Sequence, residues 1–160
     1  MMRRPWNLID VPVYSLITED KCGNINMNIC TYVSVVSLSP KTYCIALDKT
    51  TKTYSNLIHN SLVILQLLNK KNKQLVKILG KKSAYKYDKI SYLKKNNFLN
   101  HISKFEVLKH INSFVILKKN KIITTDTDHD LFLFNIEKYK VFSEENILTF
   151  QDLVNNKIIL

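Results

Sequence analysis

Gly23 to Thr53 reads GNINMNICTYVSVVSLSPKTYCIALDKTTKT, and the fold turns on this stretch. Thr31 to Leu38 (TYVSVVSL) and Lys41 to Leu47 (KTYCIAL) are rich in β-branched and aromatic residues, which suit a pleated, half-buried surface, so both are predicted as strands. Ser39-Pro40 between them predicts a turn, since proline presets φ and brings no N–H to a central ladder. Beyond the second strand, Thr50-Thr51-Lys52-Thr53 precedes Tyr54, Leu57 and Ile58, whose spacing predicts a short helix with a threonine as its N-cap. The free N–H groups and positive dipole end of such a helix attract phosphate, and threonine hydroxyls with one lysine add to that pull. The same residues also suit ordinary capping beside a solvated lysine, and both readings stay open.

Upstream, Val11 to Thr18 (VPVYSLIT) predicts a first strand with Pro12 at an edge. Glu19 to Asn24 is a turn in which Gly23-Asn24 reverses the chain, giving a β-hairpin whose second arm carries Asn26, Asn28 and Thr31. Downstream, Leu62 to Leu68 (LVILQLL) has the length of a buried strand, interrupted by Gln66. From Asn69, Leu75, Val76, Ile78 and Leu79 fall at helical spacing and predict an amphipathic helix with Gly80 just past its end. Gly80-Lys81-Lys82-Ser83 is not a phosphate-binding P-loop, because that motif needs a glycine five residues earlier, where Leu75 stands. Tyr85 to Asn97 is polar and tyrosine-rich and predicts a helix and loop with a solvated lysine face.

The last third predicts a meander: Asn112 to Lys118, Lys121 to Thr125 and Leu131 to Phe142, with the first reversal at Lys119-Asn120. The Asp126-Thr127-Asp128-His129-Asp130 run places Asp126, Asp128, Asp130 and Glu137 at EF-hand ligand positions, yet Leu131 occupies the position that must be glycine. Calcium is therefore disfavoured, and the run is expected to be an acidic, solvated hairpin tip. His59, His101 and His110 show no metal spacing, and no nucleophile elbow is present, so hydrolase and metalloenzyme readings lack support.

A chain of 160 residues without repeats or linkers is expected to be a single domain over 1–160, large enough to bury a core without disulfides. Its three cysteines, Cys22, Cys30 and Cys44, are odd in number and lack a C-x-x-C spacing, which suits reduced thiols in a cytoplasmic protein. Met1 to Asp10 has two arginines but no apolar core after them, so it does not read as an export signal. The longest uncharged apolar run is far below the roughly 20 residues of a membrane span. A net charge of +11 raises nucleic acid as a partner, but the excess is 22 lysines against 2 arginines, alongside 17 asparagines and 18 isoleucines. That composition is expected from A+T-rich coding, and no nucleic-acid-binding motif accompanies it, so nucleic acid is not the expected partner.

The ordered series Gly23, Asn26, Thr31, Ser37-Leu38-Ser39-Pro40 and Thr51-Lys52-Thr53 resembles the flavin reductase-like family, from about Trp6 to Phe150. The resemblance implies a mainly β fold with a few helices, an antiparallel split β-barrel of Greek-key type that binds FMN, with FAD as the alternative flavin. It also implies a homodimer, and transfer of reducing equivalents from NAD(P)H to the flavin or a downstream acceptor. The alternative is a non-enzymatic FMN-binding electron-transfer protein that does not use NAD(P)H. By this resemblance Thr50, Thr51, Lys52 and Thr53 would hold the phosphate, while Asn26, Asn28 and Thr31 would lie along the ribityl chain and ring. Gln66 would bond near the cofactor or across a subunit boundary, or else satisfy a neighbouring backbone group. Asp128-His129 followed by Leu131-Phe132-Leu133 is similar to the family's Asp-His before an apolar strand, which makes His129 a possible nicotinamide contact. Relatives continue with glycine where this chain has Phe134 or Asn135, and that departure counts toward the electron-transfer alternative.

Overall fold

The computed structural model describes residues 4–159; Met1 to Arg3, part of the stretch read for an export signal, lie outside the described residues. In chain order the elements are β1 (Tyr14–Glu19), β2 (Ile25–Met27), β3 (Val33–Leu38), β4 (Lys41–Asp48), α1 (Lys52–His59) and β5 (Leu62–Leu67). A 3-10 turn (Lys70–Leu75) then leads into α2 (Val76–Lys81), α3 (Lys89–Lys95), the hairpin β6 (Leu99–Ile102) and β7 (Phe105–Leu108), the long strands β8 (Ser113–Ile123) and β9 (His129–Val141), and α4 (Phe150–Asn155). Seven strands form one antiparallel sheet in the order β2-β1-β5-β8-β9-β4-β3.

Strand alternation gives this sheet two apolar faces, and both are buried except around β3 and the end of β9. On one, Leu16, Ile45, Leu65, Leu117, Phe132 and Phe134 converge with Leu57 of α1, as the inside of a curled sheet. Phe132 and Phe134 stack with ring centroids 6.2 Å apart. On the other face α2, α3, the β6–β7 hairpin and α4 cover Val13, Ile17, Ile64 and Phe114. The curl has a local cause in β8 and β9, whose register shifts between Ile116 and Leu117 and between Lys119 and Lys121. Such bulges bend a strand and increase its twist.

Four expectations need correction. The reversal expected at Lys119-Asn120 is one of these bulges, so the two predicted strands are the single strand β8. The expected hairpin arm carrying Asn26, Asn28 and Thr31 stops at Met27, because Asn28 Oδ1 accepts from Leu16 N at 3.0 Å and replaces a main-chain acceptor. The chain then crosses from the β2 edge to the β3 edge, held by Cys30 against Tyr14 and by Tyr32 O accepting from Ala46 N at 3.0 Å. Gly80 lies inside α2 instead of after it, and a Cβ there would stand 3.4 Å from Ile29 Cβ. Finally, the acidic tip is not wholly solvated: Asp130 is 1% exposed and accepts from Tyr54 Oη at 2.7 Å, with Lys49 Nζ 3.2 Å away.

Candidate functional site

The β4–α1 loop is where the pieces meet. Asp48 ends β4 opposite His129 of β9, and its carboxylate accepts from Thr50 N at 2.8 Å and Thr50 Oγ at 2.7 Å. Those two hydrogen bonds, the hydroxyl's first, hold Asp48 below the ordinary carboxylate range. Thr51 is the N-cap of α1, accepting from Tyr54 N at 3.2 Å and donating to Asp48 O at 2.8 Å. With Tyr54 N taken, the first N–H groups of α1, on Lys52 and Thr53, have no intrahelical acceptor and keep the helix's positive end.

Thr53 is 1% exposed, and its hydroxyl accepts from Asn26 Nδ2 at 3.1 Å. This buried bond, with Asn56 Nδ2 donating to Thr18 Oγ at 3.0 Å, docks α1 on the β1–β2 hairpin. Lys52 points the other way. Its ammonium stands 3.6 Å from Asp20 Oδ2 and 5.9 Å from the Tyr85 ring centre, on the wall of a cleft of about 650 Å³. The floor of that cleft is Gly23 to Asn26, and its far wall is the 84–91 segment with the start of α3. A space of this size falls within the ~300–1,000 Å³ of small-molecule sites.

Of the residues expected to hold the cofactor, Asn26 and Lys52 line the cleft; Thr53 is buried against Asn26, and Thr50 and Thr51 shape the loop without lining the cleft. Asn28 and Thr31 sit in the crossing segment, half-buried, and do not line this cleft. Gln66 is fully buried under the β6–β7 hairpin, where Oε1 accepts from Leu108 N at 2.7 Å and Nε2 has no hydrogen-bond partner among the described residues. His129 lies beyond the other end of the β4–α1 loop. Its Nδ1 is 2.8 Å from Asp128 Oδ1, and its ring meets Tyr32 edge-on at 5.6 Å. Phe134 faces the curled interior, on the opposite side of β9 from His129, so the bulky residue does not crowd the histidine.

Three residues of the cleft had no sequence signal. Asp20 looks like a turn residue, and Tyr85 belongs to a polar, tyrosine-rich stretch expected to be a helix and loop with a solvated lysine face. Lys89, 6% exposed, opens α3 and donates to Leu79 O at 2.6 Å and Met27 O at 3.4 Å. Burial pushes its ammonium down to about 8.

Three solved structures share the architecture. The styrene monooxygenase flavin reductase of Pseudomonas putida S12 superposes with a TM-score of 0.75 at 15% identity, over 94% of this chain and 92% of its own. The NADH:FAD oxidoreductase of Streptomyces globisporus C-1027 gives 0.73 at 12%, over 88% and 80%. An FMN-binding protein from Thermus thermophilus, solved with bound 1-cyclohex-2-enone, gives 0.72 at 16%, over 92% and 79%. The chain also spans 51% of a longer structure of this fold from Sinorhizobium meliloti 1021. No curated protein matches the sequence. Residues 6–155, nearly the whole chain, match the family described as the flavin reductase like domain, and this protein therefore belongs to the flavin reductase-like family.

Proposed function

We propose that this protein is a single-domain flavoprotein that binds FMN at the cleft beside α1 and passes reducing equivalents from NAD(P)H to that flavin or to an acceptor. The observation that carries the reading is the placement of Lys52, the first residue of α1, on the wall of a 650 Å³ cleft. The residues present fit an anionic tail: a lysine, two unspent helix N–H groups and an aromatic ring beside them. FAD fits the same polar end, and the Streptomyces relative named as an NADH:FAD oxidoreductase supports keeping it as the alternative.

A bound flavin supplies the hydride chemistry itself. The protein's share is to bind and orient. Lys52 and the first turn of α1 hold the phosphate, Thr50 and Thr51 keep the loop in shape, and the buried Asn26–Thr53 bond fixes the helix relative to the hairpin. From there the β4–α1 loop leads to Asp48 and, opposite it, His129. Asp128 orients the His129 imidazole through Nδ1, which leaves the other ring nitrogen for a nicotinamide contact. Phe134 turns inward, away from His129, while Asn135, the other candidate for the position where relatives have glycine, falls on the histidine's side of β9, so the electron-transfer protein stays the alternative. Asn28 and Thr31, which the family resemblance assigns to the ribityl chain and ring, lie in the crossing segment outside the cleft lining.

A homodimer belongs to the proposal. β9 loses its β4 partner after Asn135, and Val35, Leu38, Tyr139 and Val141 are exposed beside that open edge around a groove of about 290 Å³. A cytoplasmic setting belongs to the proposal too, on the free thiols of Cys22, Cys30 and Cys44. Among the described residues no helix is long and apolar enough to cross a membrane.

The test is the visible spectrum of the purified protein with added FMN, before and after NADH and NADPH. Perturbed flavin bands that bleach with either nucleotide, faster than for free FMN, are expected. A spectrum identical to free FMN would refute flavin binding, and bound flavin that neither nucleotide reduces would favour the electron-transfer alternative.

A further inference from the structure

The cleft carries far less positive charge than the chain. The whole sequence has a net charge of +11, yet the cleft lining holds four lysines against three carboxylates. Two of those lysines face an acid directly: Lys94 Nζ is 3.1 Å from Glu106 Oε2, and Lys52 Nζ is 3.6 Å from Asp20 Oδ2.

Asp20 cannot swing aside. Its Oδ1 accepts from Cys22 N at 2.9 Å and Asn24 N at 3.0 Å, and its Oδ2 from Asn24 Nδ2 at 3.1 Å. The turn that it organises is closed by Gly23 at φ +81° and is tied to α1 by Asn60 Nδ2, which donates to Glu19 O at 2.6 Å. The hydrogen bonds from Asn24, side chain first, hold the carboxyl below its ordinary range, so it is an anion at neutral pH. Asp20 and Lys52 also line a second cavity of about 260 Å³, so the pair borders both spaces. Any phosphate that takes Lys52 therefore approaches a fixed negative charge and must share the ammonium with it.

We infer that Asp20 is a specificity-determining residue of this cleft, one that lowers its preference for a phosphorylated flavin over the unphosphorylated form. The inference rests on the flavin reading above. Riboflavin carries the same ring and ribityl chain without the anion, so it does not meet the competition.

The experiment compares FMN and riboflavin titrations, by quenching of flavin fluorescence at low ionic strength, for the wild type, Asp20→Asn and Asp20→Ser. Both replacements keep an oxygen that accepts from the turn N–H groups. A unit charge removed within a few ångströms of a phosphate near the surface is worth about tenfold in affinity. FMN binding is expected to tighten about tenfold in both variants while riboflavin binding stays within about twofold, and added salt should shrink the gain. Because the readout is the ratio of the two affinities, a loosened turn that weakens both flavins leaves it intact. An unchanged ratio in both variants overturns the inference while the flavin reading stands. If neither flavin binds any of the three proteins, the flavin reading and this inference fall together.

Discussion

Replacing Lys52 with alanine tests the anion end of the site directly. A hydrogen bond to a charged group is worth about 1.5–3 kcal/mol. Lys52 is 29% exposed and already engaged with Asp20 at 3.6 Å, and a solvated pair of that kind is worth up to about 1 kcal/mol that a phosphate must share. The net loss on truncation is therefore about 1–2 kcal/mol, or roughly 5- to 30-fold in FMN affinity. The remaining N–H groups of α1 and the Tyr85 ring hold what binding is left. Folding should hardly notice, because the lost ion pair is worth less than about 1 kcal/mol and the Thr51 cap is untouched. Fluorescence titration of Lys52→Ala with FMN and riboflavin, alongside urea melts, separates the effects. FMN affinity unchanged within twofold, with wild-type stability, would show that the phosphate is not gripped at α1 and would remove the orientation proposed for the ring.

Thr53→Val keeps the side chain's shape but leaves the buried Asn26 Nδ2 without its acceptor, so urea denaturation should show a loss of about 1–3 kcal/mol; a neutral result would mean that this bond does not dock α1. Lys89 should leave a pH signature, since with a folded pKa of about 8 and an unfolded value of about 10.4 the unfolded chain binds more protons between those limits. Stability therefore rises with pH across that window, and the rise should be absent in Lys89→Met; parallel urea midpoints for the two proteins from pH 7.5 to 9.5 would contradict it. Cys22 is exposed whereas burial pushes the Cys30 thiol up to about 12, so iodoacetamide at pH 8 should label Cys22 first and Cys30 only on unfolding, as peptide mass mapping would show. Leu38→Asp, on the exposed apolar face beside the β9 edge, should convert the proposed dimer to monomer by light scattering; a wild-type monomer would refute the dimer outright.

Most of the sheet was legible because its signals are local. TYVSVVSL, KTYCIAL and LVILQLL carry the β-branched and apolar pattern of strands, and β3, β4 and β5 lie within or beside those stretches. Helix α1 was legible for the same reason, as its cap and its apolar spacing fall within a few residues. Helix α4 was overlooked although Thr149 and Asp152 form a capping box that spacing alone could have disclosed. The β6–β7 hairpin is different: LNHI and FEVL are too short to stand out, and they are strands because they pair with each other over the outer core. Lys119-Asn120 looked like a turn since a bulge and a turn interrupt a strand pattern in the same way, and only β9 pairing across both sides separates them.

The sequence by itself determined strands β3, β4 and β5, helix α1, the family to which the chain belongs, and the placing of one lysine at the start of a helix, since each is written in neighbouring residues. Tertiary structure alone decided which groups surround that lysine. Asp20 comes from a turn 32 residues earlier and Tyr85 from a segment 33 residues later, and nothing in either stretch points to Lys52. Charges act through space and not along the chain, so the balance of the cleft appears only once the sheet has curled and brought three distant segments within a few ångströms.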